Sequence, residues 1–181
     1  MYIVILGEAV HQRLGIVGNG EEIEIDVEGL EPLLAAPPSP TNIHPVSEFA
    51  EVAIDSVFIG SCTDGRYEDI ASAARILDGK HVADGVMMFV VPATAKIYRR
   101  LMTEGWLDIL ERAGALVSNP SCAGCASGQI GMTGTGEVMV STSNRNFKGK
   151  QGNGFTYLAS PLTAAASAVS GRITMYTGEL S

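Results

Sequence analysis

56-SVFIGSCTDGRYEDIASAARIL-77 reads as a strand, a tight loop and a helix. Residues 56–60 are a short apolar run ending in Gly, the pattern of a strand buried on both faces. The helix over 66–77 puts Ile70, Ala73, Ala74 and Leu77 on one face. Asp78-Gly79 ends it. Downstream, 86-VMMFVV-91 is a second buried strand, and Pro92 opens a helix over 93–105. A short helix over 106–114 stops at Gly114. Strands follow at 115–118 and 137–143, then a small-residue helix over 161–171 and a last strand over 172–177. This alternation predicts an α/β domain over residues 51–181, three-layered α/β/α with a mostly parallel sheet.

Upstream, residues 1–50 read as an extended N-terminal arm and connector. 22-EIEIDV-27 alternates as a half-exposed strand after a Gly-Asn-Gly turn. 36-APPSPTNIHP-45 holds four of the chain's eight prolines, the composition of an extended linker. The opening 1-MYIVILGEAV-10 lacks a cationic leader and meets Glu8 at once, which reads as a strand.

The 181 residues carry 12 Lys and Arg against 20 Asp and Glu, a net charge of −8. That argues against nucleic-acid binding, which runs on cations facing phosphate. No apolar run approaches the roughly 20 residues of a membrane span. Three cysteines cannot all pair within the chain, which points to reduced thiols in a cytoplasm.

Two of those cysteines, Cys122 and Cys125, form a C-x-x-C in 118-SNPSCAGCASGQIG-131, and Cys62 lies in the loop after the first buried strand. Four readings are open. A structural zinc would need a fourth ligand from His11, His44 or His81. Small core cysteines would explain Cys62 better than the C-x-x-C. A thioredoxin-like pair needs its C-x-x-C at a helix start and has no use for Cys62. A cubane [4Fe–4S] cluster held by three thiolates would keep one iron open to act as a Lewis acid. Cys62, Cys122 and Arg145 each fall just after an expected strand, and ligands of open α/β sheets sit beyond those strand ends. Arg145, Lys148 and Lys150 put three cations into six residues of an acidic chain. Arg145 suits bidentate pairing with a carboxylate, whereas Lys148 reads as a solvated loop residue.

Together, 59-IGSCTDGRYED-69, 119-NPSCAGC-125, 141-STSNRNFKGK-150 and 157-YLASP-161 resemble the aconitase superfamily. The likeness is to the cluster-bearing domain of its 3-isopropylmalate dehydratase (isopropylmalate isomerase) and homoaconitase branch, over roughly residues 22–175. The resemblance implies that Cys62, Cys122 and Cys125 hold a [4Fe–4S] cluster with one open iron. It implies Asn144 as a donor near the cluster, and Arg145 with Lys150 as carboxylate ligands of the substrate. The implied activity is a hydro-lyase isomerising a hydroxy di- or tricarboxylic acid by dehydration and rehydration. Ser141, Ser143 and Tyr157 are the chain's only candidate bases.

The chain departs from the family pattern in three ways. Where the family reads S-C-T-N, this chain has Asp64, which either caps the following helix or sits partly protonated beside the cluster. Lys150 stands where the family has Arg, keeping the charge but losing the planar fork. The blocks of the earlier family domains and of the small swivelling-domain subunit are absent from this sequence. The resemblance therefore implies either a split subunit whose partner chains supply them, or a fragment of a longer large subunit that also needs the small-subunit partner. The alternative is a non-catalytic iron–sulfur module, an iron or oxidant sensor.

Overall fold

In a computed structural model, the described residues are 29–178 together with the backbone of two short strands, β1 (Ile16–Gly18) and β2 (Glu21–Ile23). β1 and β2 pair antiparallel, with Gly18 opposite Glu21. The start of the alternating run is therefore a strand; its remainder at 24–27 and the opening run 1–10 lie outside the described residues.

The remaining strands are β3 (Leu33–Ala35), β4 (Ile43–Pro45), β5 (Ser56–Gly60), β6 (Met87–Val91), β7 (Leu116–Val117), β8 (Val138–Ser141) and β9 (Phe155–Leu158). They form one sheet in the order β4-β3-β9-β8-β5-β6-β7. From β9 to β7 every pairing is parallel, while β3 joins β9 and β4 antiparallel. The expected α/β class with a mostly parallel sheet is the one observed. The Pro-rich stretch is more than a linker, because it leads from β3 into β4 and these two strands form one edge of the sheet. Asn146 fixes this edge: its amide donates to Ala35 O and Thr156 O, each at 3.1 Å.

The helices are α1 (Ser61–Asp64), α2 (Tyr67–Leu77), α3 (Ala95–Thr103), α4 (Trp106–Arg112) and α5 (Pro161–Ser170). Alternate residues of the sheet face opposite ways. Val57, Ile59, Met88, Val90 and Val140 face the helices, where they meet Ile70, Leu77, Leu101 and Leu110 in the main core. The small residues Ala164, Ala165 and Ala168 are fully buried, so α5 lies close against α2. Ser160 and Gly171 bound α5: the Ser160 hydroxyl accepts from Thr163 N, and Gly171 takes the left-handed conformation at its end.

Phe58, Phe89, Val91 and Met139 face the other way and pack on Ala123 and Ile130. Of the three layers expected, the one on this face is built among the described residues from the loop that carries the C-x-x-C. That loop lies so close that a Cβ at Gly131 would stand 2.3 Å from the Phe58 ring. The strand expected over 172–177 does not form. Arg172 makes one antiparallel bridge to Ala53, and Ile173 N donates to Val52 O. The segment pairs with the 52–54 loop and not with β4 or β7, the edge strands of the sheet.

Candidate metal centre

Strand order places the site. The chain runs from β5 outward through β6 to β7, then returns to lay β8 on the other side of β5. The order reverses between β5 and β8, and in open α/β sheets the ligand crevice lies at that reversal, beyond the carboxyl ends of the strands. β5 ends at Gly60 and delivers Ser61-Cys62, while β8 ends at Ser141 and delivers 142-TSNR-145. The two outlets are tied: Thr142 Oγ1 accepts from Gly60 N at 3.0 Å, and Thr142 N donates to Phe58 O at 2.9 Å. β7 leads into the loop with Cys122 and Cys125, which folds back over the Phe58 face.

The three thiols lie near enough for their charges to act on one another. The Cys122 thiol is pushed up from its ordinary pKa, first by the hydrogen bond it shares with Cys125, then by burial and by the nearby charges of Cys125 and Cys62. Lys150 acts on the same thiol in the opposite direction, which brings the 144–150 loop to the same place. Cys62 and Cys122 are exposed and Cys125 is half-buried, which disposes of the core-cysteine reading. The C-x-x-C brackets a single 3₁₀ turn, Ala123–Cys125, and not the start of an α-helix, so the thioredoxin-like reading goes too.

Zinc fares no better. His44 lies on β4 with both ring nitrogens engaged, by Glu48 at 3.0 Å and Asn42 at 2.9 Å. His81 follows α2, near the opposite ends of the strands, and His11 is outside the described residues. Among the described residues no three His, Cys, Asp or Glu side chains converge on a point for one ion. A cubane needs no such point, because each thiolate binds a different iron.

Local backbone supports the same fit. Ser61 (φ 65°) and Ala123 (φ 44°) are the non-glycine residues with positive φ among the described residues, and each adjoins a cysteine. Strained backbone of this kind collects at ligand sites. The buried Ser61 hydroxyl has no hydrogen-bond partner, leaving a donor beside Cys62 for a sulfide or thiolate. The cysteines, the spare donor and the Gly-rich loop fit an iron–sulfur cluster.

Family comparison agrees with this geometry. Residues 44–171 match the aconitase family (aconitate hydratase). The chain belongs to the aconitase family. It is 50% identical over 155 residues to 3-isopropylmalate dehydratase large subunit 1 of Methanopyrus kandleri, covering 84% of this chain and 37% of that protein. Against 3-isopropylmalate dehydratase large subunit 2 of Pyrococcus furiosus it is 45% identical over 177 residues, covering 93% of this chain and 46% of the relative. The methanogen homoaconitase large subunit of Methanocaldococcus jannaschii is 44% identical over 156 residues, 85% of this chain and 37% of the relative. The chain thus spans less than half the length of these curated relatives.

Asn144 and Arg145 are exposed at the crevice, and Lys150 is half-buried beside Cys122. Lys148 is exposed, as a solvated loop residue should be. Asp64 does not cap the next helix. Arg66 opens α2, and its N–H and its guanidinium Nε both donate to Asp69 Oδ2 at 3.3 Å. Asp64 closes α1 instead, with Arg66 at 3.8 Å. Its pKa is pushed up to about 6, first by burial and then by Asp69, with Arg66 opposing. A carboxyl raised in the folded state favours folding while protonated and loses that contribution as pH climbs through the folded value. Asp64→Asn should therefore raise the apo-protein's melting temperature at pH 8 and give no gain below pH 3.8, checked by thermal melts across that range.

Sequence reading passed over Gln151. It is a buried amide in the polar, glycine-rich loop 144-NRNFKGKQGNG-154. Loops carry no periodicity, so a buried position inside one gives no hydrophobic signal. Among the described residues no helix is long and apolar enough to cross a membrane.

Proposed function

We propose that this chain is the cluster-bearing part of a hydro-lyase large subunit, acting on a hydroxy di- or tricarboxylic acid such as isopropylmalate. The observation that supports this reading is the delivery of Cys62 and the Arg145 loop to the same reversal of strand order, with Cys122 near enough to feel the charges of Cys62, Cys125 and Lys150. Cys62, Cys122 and Cys125 would hold a [4Fe–4S] cluster whose fourth iron has no protein ligand. When bound, that group supplies a Lewis acid for the substrate hydroxyl and its departure as hydroxide. Residues 51–181 serve as the cluster-bearing domain, with β3 and β4 completing one edge of its sheet.

The chain's own residues bind and orient. Arg145 is exposed at the crevice and offers a planar fork for one substrate carboxylate. Lys150 adds a point charge that offsets the thiolates and a second carboxylate. Asn144 offers an uncharged donor on the same loop.

Among the described residues, the candidate bases Ser141, Ser143 and Tyr157 are poorly placed to take the substrate's carbon-bound proton. The Ser141 and Ser143 hydroxyls donate to Gln151 Oε1 at 3.0 and 2.9 Å. Burial pushes the Tyr157 phenol up, and its ring packs edge-on to Phe49 with centroids 5.3 Å apart. The base therefore belongs to the remainder of a large subunit or to a small swivelling-domain subunit, which are this chain's partners in the proposal. Thiols kept reduced in this way suit a cytoplasm.

Mixing the anaerobically reconstituted chain with those partner chains and following isopropylmalate consumption tests the reading. Arg145→Ala should lower kcat/KM by about a hundredfold or more, the loss of a bidentate charge-assisted pair. Arg145→Lys should recover part of it. An active mixture indifferent to Arg145 would contradict the assignment. The exposure of Cys62 and Cys122 also suits an oxidant sensor, which predicts a cluster without turnover in any such mixture.

A further inference from the structure

The cysteine loop and the Arg145 loop leave different strands, yet one side chain joins them. Gln151 is 3% exposed and spends its whole amide on this junction. Its Nε2 donates to Gly131 O at 3.0 Å, at the end of the cysteine loop. Its Oε1 accepts from the hydroxyls of Ser141 and Ser143, at the root of the Arg145 loop. The amide also lies against the C-x-x-C itself: a Cβ at Gly124 would stand 2.7 Å from Gln151 Nε2. The backbone carbonyl of Gln151 separately accepts from Thr133 N at 2.9 Å and Thr133 Oγ1 at 2.7 Å, so the residue stays anchored whatever its side chain.

We propose that Gln151 is a positioning residue that sets the separation of the cysteine loop from the Arg145 loop. The site needs such a device. Cluster ligands and substrate ligand come from loops with few backbone ties to each other, and a displacement near 1 Å in a reacting centre can cost about a hundredfold in rate. A buried amide with one donor and two acceptor contacts satisfied is a rigid spacer, since each broken bond would leave a buried polar group unpaired. The part of the proposal that concerns cluster retention rests on the function proposed above; the loop geometry does not.

Two variants separate the halves of the clamp. Gln151→Met keeps the volume and removes all three side-chain hydrogen bonds. Gln151→Glu keeps the acceptors for Ser141 and Ser143 and loses the donor to Gly131 O. Amide hydrogen exchange on the apo-protein is the first readout. Gln151→Met should speed exchange about tenfold or more in both 118–131 and 141–150, leaving β5, β6 and α2 unchanged. Gln151→Glu should do so in 118–131 alone. The second readout is cluster loss in air from reconstituted protein, which should be about tenfold faster in Gln151→Met with an altered EPR line shape. Wild-type exchange in both loops of both variants, or a uniform rise across the sheet, would overturn the proposal. If wild type takes up no cluster, the proposed function fails, and the exchange experiment still decides the role of Gln151.

Discussion

Cys62→Ala, Cys122→Ala and Cys125→Ala, each purified and reconstituted anaerobically, should fold normally and fail to hold the cluster that wild type holds at about four irons and four sulfides. The two halves of this expectation have separate causes. Cys62 and Cys122 are exposed, so trimming their thiols removes little buried surface and should change stability by no more than about 0.5 kcal/mol. The cluster, by contrast, has no fourth cysteine to fall back on, since the chain has three. Removing any one leaves two irons without protein ligands. Iron and sulfide analysis beside a thermal melt checks both halves. A variant that loses the cluster and also unfolds would show that the thiol is structural.

The largest effect on the fold should come from Gly60→Ala. Gly60 ends β5 at φ 130°, ψ −138°, a conformation essentially closed to residues with a Cβ. A Cβ there would stand 2.0 Å from Val91 O, its partner at the carboxyl end of the parallel β5–β6 pairing. Neither strand can yield, because Val57, Ile59, Met88 and Val90 are fully buried. A loss of about 4 kcal/mol or more is expected, a large share of a small domain's total stability. Gly79→Ala makes the control. It shares a positive φ, 68°, but has open space around it, so about 1–2 kcal/mol is expected. Urea midpoints of the two variants should differ widely. The comparison bears on the site, since Gly60 is what lets β5 turn at once into Ser61-Cys62.

The core of the fold was legible where pattern and burial coincide. The runs at 56–60 and 87–91 are apolar without alternation because both faces of those strands are covered, one by helices and the other by the cysteine loop. Helix 66–77 announced its buried face through Ile70, Ala73, Ala74 and Leu77, all fully buried. The short strands were harder. β3 and β4 are three residues each and flank prolines, and β9 follows a glycine-rich loop with Phe155 exposed, so none shows a period. The opposite error came at 172–177, where a β-rich composition meets the 52–54 loop through one bridge and joins no strand of the sheet. At the site, the strand-end positions of the cysteines were readable from sequence. The placement of Lys150 by Cys122 and the clamp at Gln151 were not, because both depend on how two long loops fold onto each other.

The most direct test of the three-thiolate site is the Mössbauer spectrum of the wild-type chain reconstituted anaerobically with enriched iron, read with and without isopropylmalate. About four irons should appear, one of them distinct from the other three and shifted by the hydroxy acid. Four equivalent irons indifferent to substrate, or no iron retained by the three thiols, would contradict a cluster with an open position.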